Sequence, residues 1–491
     1  MATFENFTLD RKRRELRRDG VTVAVEPQVF DLLVCLVAHR DRVVDRDMML
    51  AEVWDGRIVS ESTLTTRINA ARRALGDSGR EQRLIRTVRG RGFRFVGEVA
   101  GDGADPPGES AARHGRIGVL PFDSDDATSE LAAPLREAVT ESFSRNPSGL
   151  RTTDLGRLVT PGSPLAEQAE FVVAGRLYRQ GKTVHVSAQL IETESNNILA
   201  AVRHDVPAGE PSVIVSLLDE AVFNRLIQVM YLRGPRSTGP LAMTGFDYLV
   251  LARARNTNMK PEDNWAAETI ALDGLERFNG FAPLHALLSY IRLLRASSLW
   301  RPEVDDDIQA AVEAARRSIA IDASNSWALQ MLAIALAYQG EKEEGLLASE
   351  RAAAAYPTFS GPITNRSILL SYLGRIEEAF RDRATKLNPN AWRNDDLDWG
   401  RLLYIAGRYD EALPYLQRYS VMAPLTNLIE LILAATHHAL GETDRAAELV
   451  ARHRKAMPWS SVELVRKVTP YPEPKRQLFY DVLRRYGLPQ R

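Results

Sequence analysis

Residues 60 to 96 hold the side chains with the clearest chemistry. In STLTTRINAARRAL (62–75), Thr65, Thr66, Asn69 and Arg73 recur at spacings of one, three and four, with Arg67 and Arg72 on the flanks. On a helix that begins near Ser60 or Ser62 and runs to about Leu75, this spacing gathers short hydrogen-bonding groups and guanidinium groups onto one face. Such a face suits base edges in a major groove. Asparagine can bridge adenine N6 and N7, arginine can reach guanine or phosphate, and threonine can touch a thymine methyl. A merely solvated amphipathic helix would show the same pattern, so the next segment decides. In LIRTVRGRGFRFV (84–96), Arg86, Arg89, Arg91 and Arg94 crowd onto a short hairpin turning at Gly90-Arg91-Gly92. Coulomb repulsion opposes that crowding unless a polyanion lies alongside, and a thin arginine-tipped hairpin fits a minor groove.

Other candidate chemistry fails on its geometry. GRLYRQGKT (175–183) ends like a phosphate-binding loop, but five residues separate Gly175 from Gly181 where that motif has four. Lys182-Thr183 lead into the strand-like alternation VHVSAQL rather than a helix, so no helix N-terminus is there to cradle a phosphate, and a hairpin turn is expected. The adjacent pair His437-His438 points to two sides of one helix and has no Cys or Glu-x-x-His spacing beside it. Neither a Ser-centred nucleophile elbow nor HExxH occurs. No catalytic residue, metal or cofactor is therefore expected, and the chain reads as a non-enzyme.

The elements that hold the 60–96 region can be read outward from it. Its helix has an apolar stripe of Leu64, Ile68, Ala71 and Leu75, to be packed on a domain. Before it, Phe4, Phe7, Leu9 and Val21, Val23, Val25 flank the turn dipeptide Asp19-Gly20 and predict antiparallel strands. A helix follows Pro27 with Phe30, Leu33, Val34 and Val37 inward, and a second starts at Asp45 and buries Met49, Leu50, Val53 and Trp54. Residues 1–99 carry 19 Lys and Arg against 15 Asp and Glu, a net +4, while the whole chain of 491 residues has a net charge of −1. The basic excess is thus local, and a uniformly basic nucleic-acid coat protein is excluded.

The length predicts about three domains. GDGADPPGESAARHGR (101–116) has the composition of a linker, so the boundaries read as 1–99, a flexible linker 100–116, a small domain 117–210 and a helical region 211–491. In the small domain IGVLPF (117–122), FVVA (171–174) and the alternating Val184, Val186, Ala188, Leu190 predict strands, with a helix near Leu131–Phe143 between them. A single cysteine, Cys35, excludes a disulfide framework and fits a reducing compartment. The start lacks the apolar core of a secretory signal, and the most apolar stretch, Leu425–Leu440, contains Asn427, Glu430, Thr436, His437 and His438. A soluble cytoplasmic protein without membrane contact is expected.

The last third repeats itself. Gly340, Gly374, Gly407 and Gly441 follow at steps of 34, 33 and 34, opening GEKEEG, GRIEEA, GRYDEA and GETDRA. A small residue closes each phrase, and Pro357, Pro424 and Pro458 lie 17 residues past their glycines, with Pro389 near that place in the remaining unit. Each unit reads as helix, tight turn, helix, stop. This resembles the tetratricopeptide repeat, with clear repeats over about 326–458 and degenerate units over 245–325, and implies an all-α superhelix whose concave surface binds a protein or peptide. Tyr338, Tyr404 and Trp399 are candidates to line its groove.

RVVDRDMMLAEVW (42–54), STLTTRINAARRALGD (62–77) and LIRTVRGRGFRF (84–95) resemble the OmpR-type winged-helix DNA-binding domain. By that resemblance the helix near 60–75 is the recognition helix, the 84–96 hairpin is the wing, Arg89 takes the wing arginine's place, and the loop Asp55–Val59 is one that relatives use to touch the DNA backbone or polymerase. The chain departs from the pattern at Asn69 and Ala70, where arginine is frequent, and at Phe93, where tyrosine is common. No receiver domain is recognisable, so aspartyl phosphorylation is not the expected switch. Regulators of the ToxR and CadC type follow the winged helix with a membrane span; the HilA-like arrangement, with helical repeats, is the nearer match. Residues 116–210 resemble the TolB-like domain, an assembly or binding module. The whole implies a multidomain α+β transcription regulator of double-stranded promoter DNA. Thr65, Thr66, Arg67, Asn69, Arg72, Arg73, Arg86, Arg89 and Arg91 are its DNA-contacting residues, RNA polymerase a further partner and a weak homodimer on DNA its expected assembly. The alternative from another class is a repeat scaffold whose winged helix docks onto a protein.

Overall fold

Short apolar runs punctuated by turns open the chain as strands. In the computed structural model, β1 (Ala2–Phe4), β2 (Phe7–Asp10), β3 (Glu15–Arg18) and β4 (Val21–Val23) pair antiparallel in sequence order. The residues described are 2–10, 14–38, 40, 43–45, 49, 53, 61–88, 91–97, 99–100, 115–147, 149–155, 169–207, 213–218, 243–385 and 395–491. Asp19 and Gly20 both take left-handed φ, 48° and 80°, which a two-residue hairpin needs to match strand twist. Helix α1 (Pro27–Ala38) begins with proline, whose missing N–H costs nothing in a first turn, and buries Phe30, Leu33 and Val37. The helix expected from Asp45 falls largely outside the described residues, Leu50 and Trp54 among them; Met49 is buried and Val53 half-buried.

Helix α2 (Glu61–Ala74) places Leu64, Ile68, Ala71 and Leu75 in the core of the front unit, beside Phe4, Phe7, Leu33 and Phe95. Burying each large aliphatic chain of that stripe is worth about 1.5–3 kcal/mol. Strands β5 (Ile85–Val88) and β6 (Gly92–Phe95) form the hairpin that follows, and β7 (Val99–Ala100) returns to pair with β1.

Residues 1–112 with 237–243 form one compact unit, and 113–236 with 244–491 another. The middle and helical parts, divided at 210 in the sequence reading, thus share a unit, and the expected linker is already strand at Arg116. In this unit β8 (Arg116–Val119) runs parallel between β10 (Arg151–Asp154) and β11 (Phe171–Gln180). From β11 the sheet continues as an antiparallel meander through β12 (Thr183–Glu192) and β13 (Ile198–Pro207), while the short β9 (Asp123–Ser124) pairs with β11. Helix α3 (Ser129–Ser144) buries Leu135, Val139 and Phe143. The phosphate-loop-like segment is the β11–β12 turn: Gln180 pairs with Thr183 and Gly181 sits at φ +63°.

Helices then follow in antiparallel pairs: α4 (Gly245–Asn256) with α5 (Pro261–Arg277), α6 (Ala282–Ser297) with α7 (Val304–Ile321), α8 (Ser326–Gln339) with α9 (Lys342–Ala355), α10 (Ser360–Tyr372) with α11 (Ile376–Ala384), α12 (Asp395–Ile405) with α13 (Tyr409–Met422), and α14 (Ile429–Ala439) with α15 (Thr443–Ala456). Two shorter helices, α16 (Val462–Lys467) and α17 (Lys475–Arg485), close the series. The repeat glycines 340, 374, 407 and 441 lie between the helices of their pairs at φ between 80° and 93°, where a Cβ would be strained. At Gly345 a Cβ would meet the Ala333 carbonyl at 2.7 Å, and Ala379, Ala412 and Ala446 are fully buried, so a small residue is what lets the paired helices approach. This is the tetratricopeptide arrangement, helix, tight turn and helix repeated. The sheet module docks on the α9–α10 turn, where Asn146 Nδ2 donates to Tyr356 Oη at 3.1 Å and Ser216 Oγ donates to the Thr358 carbonyl at 2.6 Å. No helix among the described residues is long and apolar enough to cross a membrane.

Candidate nucleic-acid interface

Because α2 turns its apolar stripe inward, the opposite face is left to solvent. Ser62, Thr65, Thr66, Asn69 and Arg73 are exposed along it. Thr66 Oγ1 donates to the Ser62 carbonyl at 2.7 Å, which fixes its rotamer without using its acceptor capacity. Arg73 bends back only weakly, its Nε donating to the Asn69 carbonyl at 3.4 Å. Arg67 is half-buried and held in an ion pair with Glu26. A polyanion would have to compete with that carboxylate for it.

Arg72 has a different place from the one its sequence position suggests. It is 5% exposed. Its Nη2 donates to the Ile85 carbonyl at 2.9 Å and to Thr87 Oγ1 at 2.9 Å, and its guanidinium lies over the Phe93 ring at 5.9 Å. Burial lowers its basicity and the charge of Asp77 opposes this, so the side chain is a buried cation spent on joining α2 to the hairpin. The reading of Arg72 as a base or phosphate contact is corrected accordingly.

Asp77, which the sequence reading passed over, does the complementary work. Its carboxylate accepts backbone N–H bonds from Ser78, Arg83, Leu84 and Ile85 at 2.7, 2.9, 3.0 and 2.9 Å. Burial alone would raise this carboxyl, but the four donors outweigh it and hold it below the usual carboxylate range. Gln82 Oε1 accepts from the Thr87 N–H at 2.8 Å, pinning the same strand. On its other side β6 bridges to Val44, with Val44 N–H to Phe93 O at 2.8 Å and Phe93 N–H to Val44 O at 2.9 Å. That approach requires glycine at 92: a Cβ there would lie 2.1 Å from the Val44 carbonyl, and its φ is +141°.

The hairpin so anchored carries exposed Arg86, Arg91 and Arg94. Arg86 and Arg94 stand directly opposite across the β5–β6 pair, a like-charge juxtaposition that costs stability unless an anion bridges it. Arg94 Nε reaches the Arg40 carbonyl at 3.1 Å. Arg89 lies outside the described residues. The structure therefore brings the exposed stripe of α2 and a cationic hairpin together on one rigid support, a helix beside a wing. The front domain is an OmpR/PhoB-type winged helix.

The family match agrees with that geometry. Residues 20–95 match the family described as "Transcriptional regulatory protein, C terminal". The chain is 25% identical over 233 residues to the transcriptional regulator HilA of Salmonella typhi, covering 46% of this chain and 40% of HilA. It is 34% identical over 88 residues to the phosphate regulon transcriptional regulatory protein PhoB of Pseudomonas aeruginosa, covering 18% of this chain and 38% of PhoB. The matched parts thus span well under half of these relatives' own lengths. Among solved structures, the Klebsiella pneumoniae RstA DNA-binding domain in complex with the RstA box is similar over 19% of this chain and 94% of that one, at 29% identity and a TM-score of 0.18.

Proposed function

We propose that this chain is a sequence-specific DNA-binding transcription regulator. The winged helix, within residues 1–99, reads promoter DNA, and the TolB-like and repeat regions, 117–210 and 211–491, form the sensor or protein-interaction part. Thr65, Thr66 and Asn69 read base edges, Arg73 reaches bases or phosphate, and Arg86, Arg91 and Arg89 follow the backbone and minor groove. Arg67 joins them once released from Glu26. A protein or peptide partner on the repeats, contact with RNA polymerase, a weak dimer on adjacent half-sites and a cytoplasmic location complete the reading.

The observation that carries it is the Arg86–Arg94 pair: two exposed cations held face to face on a hairpin fixed to the helix whose outer face is short and polar. Phosphates on either side of a groove would neutralise such a pair. Binding of the full chain to duplex DNA, followed by fluorescence anisotropy across a salt series, tests this. Arg86→Ala with Arg94→Ala is expected to flatten the log–log salt slope by about two units. An unchanged slope would remove the wing from the interface.

A further inference from the structure

Among the described residues, the later helical repeats are tied back to the earlier ones. The loop after α13, residues 423–428, reaches back to the α6–α7 turn, 125 to 129 residues earlier. Asn427 N–H donates to Ser298 Oγ at 2.9 Å, Trp300 Nε1 donates to the Leu425 carbonyl at 3.3 Å, and Trp459 Nε1 donates to the Leu299 carbonyl at 2.8 Å. In that loop Leu425, Asn427 and Leu428 all hold left-handed φ, 61°, 49° and 56°, a conformation that side chains with a Cβ resist. The strained loop ties the later repeats to the earlier ones across what an open solenoid would present as its concave face.

What remains inside is a cavity of about 120 Å³. This is the scale of a cavity that admits a benzene ring, about 150 Å³. Tyr290, Trp327, Met331 and Ile334 give it an apolar wall, and Tyr290, Met331 and Ile334 are only half-buried, which leaves a way in. Its polar wall is the informative part. Arg401 is 7% exposed; one end of its guanidinium, Nη2, donates to the Asn427 carbonyl at 2.7 Å, but its buried Nε–H meets no acceptor. Asn365 is 8% exposed and its buried Oδ1 meets no donor. A buried cation with an unmet donor and a buried amide with an unmet acceptor are both expensive inside a protein unless a ligand completes them. Asp398 lines the same cavity, so the wall carries one charge of each sign.

We propose that this cavity binds a small zwitterion, a free α-amino acid with an apolar branched or single-ring side chain: carboxylate on Arg401 Nε, ammonium toward Asn365 Oδ1 and Asp398, side chain against Trp327 and Ile334. The site gives the sensor half of the proposed function a ligand class. It rests on that reading only for its consequence, since binding is read without DNA. Failure of one therefore leaves the other standing.

Calorimetric titration and thermal shift of the full chain with L-leucine and L-phenylalanine test it. The expected result is saturable one-to-one binding of at least one of them, with a raised midpoint of the helical unit. The matching amines without the carboxylate, isopentylamine and phenethylamine, are expected to bind at least tenfold more weakly. Asn365→Leu, which keeps the residue's bulk, is expected to weaken binding tenfold or more while the far-UV helical signal is retained; Arg401→Lys supplies a second variant that preserves the charge but not the fork, with the same expectation. No response to either amino acid, an equal response to the amines, or binding indifferent to both folded variants would overturn the proposal. So would tighter binding of acetyl-Gly-Gly-Leu than of leucine, which would make the site a peptide C-terminus clamp.

Discussion

Arg72 and Arg73 are neighbours in sequence with opposite fates. Arg72 follows Leu64 and Ile68 at steps of four, so it lies along the apolar stripe and turns inward, whereas Arg73 faces out. Arg73→Ala is expected to weaken DNA binding by about 1–3 kcal/mol if it reads a base, and less at a phosphate, with no change in the thermal midpoint. Arg72→Ala removes bonds from a charged group to Ile85 and Thr87 and is expected to cost about 2–3 kcal/mol of front-domain stability, with DNA affinity falling as a consequence. Denaturation and anisotropy on both variants separate the roles; equal midpoints would contradict the assignment. The exposed face of α2 could be read from helical spacing alone because it depends on local geometry. Arg72's burial could be suspected from its step of four after Ile68, but it is decided by Thr87 and Phe93, which close over it from a later hairpin.

At the scale of elements, the joint between α2 and the hairpin is the part to break. Gly92→Ala would place a methyl group against the Val44 carbonyl in a backbone conformation alanine rarely adopts, so the wing is expected to detach from the 44–45 segment. Hydrogen exchange at the Val44 and Phe93 amides would report it as lost protection. Asp77 sets a pH dependence. Its folded carboxyl lies below the ordinary value of about 4, so its contribution is fully present above that value and disappears as pH falls through the folded one. Asp77→Asn is therefore expected to cost about 1–3 kcal/mol at pH 7 and progressively less below pH 4, measured by urea denaturation across pH. The Asp19-Gly20 hairpin, the wing and the 34-residue helix pairs were legible because turn chemistry and periodicity are local. The strand Arg151–Asp154 was not: RTTD has no apolar alternation, and it is a strand because β8 offers it an edge. Tyr404, read as a groove residue, is buried against Tyr409, Tyr471 and Phe479, contacts supplied in part by a helix some 75 residues later.

At the scale of the molecule, the helical unit carries a pH limit of its own. His453 on α15 is 1% exposed, and burial holds its imidazole down at about 4. The unfolded chain takes up that proton near pH 6.5 and the folded one does not, so stability is expected to fall between pH 6.5 and 4 by on the order of 2–3 kcal/mol. His453→Gln should remove that part of the loss in denaturation series at pH 7.5 and 4.5. The closure of the repeats was invisible in the sequence, since Asn427 meets Ser298 and Trp459 meets Leu299 only after the intervening pairs have stacked, whereas the stacking itself follows from the repeat. The proposed function depends on the α2 face reading a DNA sequence. Its most direct measurement is selection of fragmented genomic DNA by the full chain at about 50 and 200 mM salt, with Asn69→Ala beside it. One shared motif is expected that survives the higher salt and is lost or relaxed at one position by the substitution. Recovery of only salt-sensitive DNA without a motif, or of the same motif unaltered by Asn69→Ala, would contradict it.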